Sequence, residues 1–156
     1  MKRLTCLIFI VLGLAALASA PASADTELGS VTGAGDGLFE PGAALGAVIL
    51  DGLDLGIGVF IDPNGSAMGV FHAVLVGHSP LGQSQIVVEG EVSAGGLGPF
   101  GHANFSGVAT VDLGDGTQPL SGVPFSVTVA DSSVVLALGA TTLLPATMSA
   151  DSITIE

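Results

Sequence analysis

Apolar and polar residues alternate along much of the chain from about residue 29 onward. Ile86, Val88 and Val92 fall on one side of a run whose other side carries Gln85, Glu89 and Glu91, together with Val87. Phe105, Ala109 and Val111 oppose Ser106, Thr110 and Asp112, and Val123, Phe125, Val127 and Val129 oppose Ser126 and Thr128. Ile153 and Ile155 oppose Ser152, Thr154 and Glu156. A period of two marks the half-buried β-strand, because successive side chains leave opposite faces of the sheet. A slip of one residue would turn each apolar set to water, so the register is strongly specified. No stretch of helical length shows the apolar period of a capped helix.

The pattern predicts strands over 29–34, 44–51, 54–62, 67–77, 84–93, 102–112, 122–130, 133–139 and 147–155. Clusters of Gly, Asp, Asn and Pro divide them, as in all-β chains. Asn64-Gly65 is a strong hairpin signal because both positions tolerate positive φ. Gly114-Asp115-Gly116 and Asp131-Ser132-Ser133 read as two further reversals. Consecutive hairpins of this kind make an antiparallel meander of eight to nine strands. The expected fold is therefore all-β, a single antiparallel β-sandwich or small barrel-like domain. Gly46, Gly56, Gly58, Gly69, Gly90 and Gly107 lie inside the predicted strands, and interior glycines often mark bulges or barrel corners.

The first residues follow a different rule. Met1-Lys2-Arg3 is basic, Leu4 to Leu17 is apolar, and Ala18-Ser19-Ala20 and Ala22-Ser23-Ala24 are small-residue cleavage sites. That order is a secretory signal peptide. Pro21 makes the first site a poor one, so the expected domains are a signal peptide over 1–24 and an all-β domain over 25–156. The apolar run is shorter than the roughly 20 residues of a membrane-spanning helix, and no membrane insertion is expected after cleavage. The expected location is secreted: extracellular, periplasmic or cell-surface.

Composition sharpens this picture. The 156 residues include 14 Asp+Glu and only 2 Lys+Arg, for a formal net charge of −12, with 49 % apolar residues, 24 Gly, one Cys and neither Trp nor Tyr. Both basic residues and Cys6 precede the expected cut, while every acidic residue follows it. The exported chain is thus a glycine-rich polyanion of roughly 130 residues, large enough for one core but with no disulfide available. Nucleic acid is excluded as a partner, since phosphate binding needs Lys and Arg. An outer-membrane barrel is disfavoured because aromatic girdles need Trp and Tyr.

Candidate chemistry is sparse. His72, His78 and His102 lack the spacing of a zinc motif. Asp51-Gly52-Leu53-Asp54, Asp62-Pro63-Asn64-Gly65-Ser66 and Asp112-Leu113-Gly114-Asp115-Gly116 offer oxygen ligands suited to weak calcium binding. The same residues are also what β-turns require without any metal. Gly33-Ala34-Gly35-Asp36-Gly37 reads as a flexible entry strand or turn, without the Lys of a phosphate loop. Ser106-Gly107 and Ser121-Gly122 lack a nucleophile elbow. Glu89 and Glu91 share a strand face about 7 Å apart, a spacing used in glycoside hydrolysis, but a solvated acidic face is the simpler reading. No catalytic, cofactor-binding or metal residues are assigned, and no cofactor is expected.

The segments Phe105-Ser106-Gly107-Val108-Ala109-Thr110-Val111, Val123-Pro124-Phe125-Ser126-Val127 and Ser152-Ile153-Thr154-Ile155 follow a recurring pattern. Asp62-Pro63-Asn64-Gly65 followed by Gly69-Val70-Phe71 extends it. Over about residues 55–156 the chain resembles small exported bacterial all-β proteins of no assigned function. The resemblance implies a secreted all-β domain and carries over no site residues. The expected function is a non-enzymatic secreted or cell-surface β-domain with a structural or interaction role, its partner a protein or surface polymer. The alternative is a small apolar-ligand-binding β-barrel carrier.

Overall fold

The computed structural model describes residues 28–150 and 152–156. The expected signal peptide and its cleavage point lie outside these residues. Eleven strands run through the described chain: β1 (Gly29–Phe39), β2 (Ala44–Leu45), β3 (Val48–Ile61), β4 (Ser66–Ser79), β5 (Gly82–Gly98), β6 (His102–Asp112), β7 (Leu120–Ala130), β8 (Ser133–Leu138), β9 (Thr141–Thr142), β10 (Ala146–Met148) and β11 (Ile153–Ile155). No helix among the described residues is long and apolar enough to cross a membrane. The fold is all-β, as the alternation predicts.

All pairings are antiparallel. From β3 to β8 each strand pairs with the next in sequence. β8 continues to β10, and β10 to β1. β1 then returns to β3 along its other edge, from Gly29↔Ile61 to Leu38↔Gly52. The ladders therefore form a continuous circuit. β11 completes the second edge of β1, where Ser30 and Glu156 exchange both backbone hydrogen bonds. Exposed sheet edges invite pairing with other chains, and the circuit leaves its long strands with partners on both sides.

The inward face carries the apolar set of each alternating strand. Leu53, Leu55, Ile57, Val59 and Ile61 of β3 are buried, as are Phe71, Ala73 and Leu75 of β4 and Phe125, Val127 and Val129 of β7. They join one hydrophobic cluster, and among the described residues no polar or charged residue is buried. The middle of that cluster is aromatic. Phe71 stacks on Phe125 at 5.3 Å between centroids and tilts against Phe105 at 5.9 Å. Gly90 makes room for this stack: a Cβ there would lie 2.7 Å from the Phe125 ring.

Two expected readings change on folding, and a third resolves to its strand alternative. The predicted strands 44–51 and 54–62 become mostly one, β3, because Asp51-Gly52 is a bulge rather than a turn. A bulge inserts an extra residue without ending the strand, so Leu50 and Leu53 both face the core. The predicted strand 147–155 is instead two, β10 and β11. Between them Ser149 donates its backbone N–H to the carbonyl of Asp36. Gly33–Gly37, read as an entry strand or turn, lies wholly within β1. Its inward glycines admit the C-terminal segment closely. A Cβ on Gly35 would lie 2.7 Å from Ser152 Cβ, and one on Gly37 2.7 Å from Met148 Sδ.

Candidate functional site

The hairpins decide which polar side chains meet. The two-residue Pro80-Leu81 loop sets Ser79 opposite Gly82, and that register brings His72 opposite Glu89 and Val70 opposite Glu91. The next ladder sets Glu89 opposite Thr110 and Glu91 opposite Val108. Two parallel rows result on the outward face, His72–Glu89–Thr110 and Val70–Glu91–Val108. They border a shallow concavity of about 550 Å³ that reaches Gly122. Glu89 and Glu91 do share a face, as their spacing requires, and both are exposed to water.

The other expected features separate. His78 Nδ1 lies 2.8 Å from Asp51 Oδ2 on the outward face, with both side chains solvent-exposed. His102 begins β6, where it faces Gly98 and Ala130. Among the described residues no group of three His, Cys, Asp or Glu side chains is placed to hold a metal ion.

Asp112, Asp115 and Asn64 use a side-chain oxygen within their own turns. Asp112 Oδ1 accepts the backbone N–H of Gly114 at 2.9 Å. Asp115 Oδ1 accepts both the N–H and the hydroxyl of Thr117, at 2.9 and 2.6 Å. The hydroxyl bond, followed by the backbone bond, holds the Asp115 carboxyl below the usual carboxylate range, because hydrogen bonds to the charged form favour it. At the β3–β4 turn, Asn64 Oδ1 accepts the N–H of Ser66 at 2.8 Å. Only Gly65 of the Asn-Gly pair takes positive φ, at 89°. Asn64 thus serves through its side chain rather than through a left-handed backbone.

Two surfaces that no sequence motif announced are apolar. On the outward face Phe60 sits opposite Met68, and Val70 follows Met68 on the same side of β4. Met68 is 71 % exposed and Val70 65 %. Gly56 and Gly58 of β3 oppose His72 and Val70 with no side chain of their own, leaving bare backbone beside them. The second surface lies where the β2–β3, β4–β5 and β6–β7 connections gather at one end of the meander. Leu45, Val48, Leu81, Ile86 and Leu113 line an open trough of about 730 Å³ there, with Asp115 at its border. Hairpin register, counted back from Pro80-Leu81, would have revealed the His72–Glu89 pair. The trough draws on three loops distant in sequence, and no local pattern encodes it.

No protein-family model, curated protein or solved structure matches the chain.

Proposed function

We propose that this chain is an exported, non-enzymatic β-domain that docks a protein or surface polymer on its outward β3–β4 face. Export rests on the leader pattern of residues 1–24. The ladder circuit is read as a small barrel-like body, since β1 pairs with β3 on one edge and with β10 and β11 on the other.

The observation that carries the docking role is the Phe60–Met68–Val70 patch. β4 carries apolar residues on both faces, with Phe71, Ala73 and Leu75 inward and Met68, Val70, Val74 and Val76 outward beside His72 and His78. The solvated face of an antiparallel sheet is commonly polar, so the outward Met68 and Val70 depart from that pattern, and clustered apolar exposure marks interaction surfaces. The β5–β6 tip adds a related sign. Phe100 is 90 % exposed and sits at φ 60°, a conformation that bulky residues avoid. Neither packing nor backbone preference explains an aromatic there, whereas a contact beyond the chain does. The apolar-ligand carrier draws less support, because the buried Phe71, Phe105 and Phe125 rings pack on one another within the hydrophobic cluster.

The test is fractionation in the source organism, comparing the natural chain with a Met68→Ser, Val70→Thr variant. These changes keep strand-compatible shapes and add no charge opposite Glu91. The natural chain is expected in the cell envelope or in a complex larger than itself, and the variant free in the medium. Equal partition of two equally stable proteins would refute the docking face.

A further inference from the structure

We propose that the trough between the β2–β3, β4–β5 and β6–β7 connections binds a small amphipathic cation, its apolar body against Leu45, Val48 and Leu113 and its charged end toward Asp115. This inference is independent of the docking face, which lies on the outward surface of β3 and β4.

The trough has the attributes of a small-molecule site. Its volume of about 730 Å³ falls in the range of roughly 300–1,000 Å³ occupied by ligand pockets. Its floor is rigid, since Ile86 is buried in the core and Leu45, Val48 and Leu113 pack against that core. Its rim is apolar where water would favour polarity. Leu81 is 99 % exposed at the tip of the β4–β5 hairpin. That tip is braced by Ser79, whose Oγ accepts the N–H of Leu81 and donates to the carbonyl of Gly82. A braced hairpin presenting a bare leucine beside an apolar hollow offers an apolar body a fixed surface.

Charge selects the head group. Lys2 and Arg3 are the only Lys or Arg in the sequence, and among the described residues no Lys, Arg or His lines the trough to receive an anion. Asp115 does border it, in a turn that Thr117 fixes from both backbone and side chain. Like charge repels anionic amphiphiles there and opposite charge attracts cationic ones.

Three naphthylmethyl probes differing only in their polar end test the idea: a trimethylammonium, a hydroxyl and a sulfonate. Each is titrated into the isotopically labelled protein and followed by amide shifts. The ammonium probe is expected to bind on the order of fivefold more tightly than the alcohol, and the sulfonate most weakly. The shifts should gather at Val48, Leu81 and Leu113. Asp115→Asn preserves an oxygen for the Thr117 bonds and should erase the ammonium-over-alcohol preference. Ala47→Trp, at an exposed turn position lining the trough, should weaken all three probes. Equal affinity for the three probes, or shifts centred elsewhere on the wild-type protein, would overturn the proposal without recourse to any variant.

Discussion

Gly90 and Phe125 show how single residues set this core. Gly90 faces inward between Phe71 on β4 and Ala109 on β6, and the Phe125 ring occupies the place of its missing Cβ. Adding a methyl group forces a packed ring to move, and overpacking of this kind costs about 1–3 kcal/mol. Gly90→Ala should therefore lower unfolding free energy by about that amount in urea titration. Phe125→Leu should recover part of the loss in the double variant, because touching residues couple. Strict additivity, or a neutral Gly90→Ala, would place the ring elsewhere. The alternation of β5 marks Gly90 as inward from sequence alone. Its partner was not legible, because β5 and β7 are not neighbours in the ladder and meet only through the core.

At the scale of elements, turns were more legible than strand limits. The β3–β4 and β7–β8 reversals fall where Asn64-Gly65 and Asp131-Ser132 place them, since turn chemistry is local. The bulge at Asp51-Gly52 read as a turn because bulges and turns use the same residue types. The His72–Glu89 row was implicit in a hairpin register, but only once the loop between them was known to be two residues. The β5–β6 tip carries a prediction of its own. Left-handed backbone costs a bulky residue about 1–2 kcal/mol, and Asn tolerates it better. Phe100→Asn should thus raise stability by about 1 kcal/mol in thermal or urea unfolding while weakening envelope retention. A variant less stable than the natural chain would show that Phe100 packs within its own fold.

Over the whole molecule, the alternation expected in sequence becomes a circuit of antiparallel ladders that contribute their apolar faces to one hydrophobic cluster. The sequence predicted the meander but left its ends open. Closure depends on β1, whose inward glycines accept the C-terminal segment, and on pairings between residues more than a hundred positions apart, such as Val31 and Ile155. No local pattern encodes such a contact. Under the proposed function, the outward surfaces are the places where this chain meets other molecules. With only two Lys and Arg residues against 14 Asp and Glu, the chain has few side chains with which to attract anions, so apolar contact and acidic charge are what the proposed role draws on.

Native mass spectrometry of the protein recovered from an exporting host tests this account most directly. The predicted result is a chain beginning at Asp25 whose mass, after washing, is that of the polypeptide alone. A chain that keeps its leader, or one holding a fixed apolar mass released only on unfolding, would contradict it.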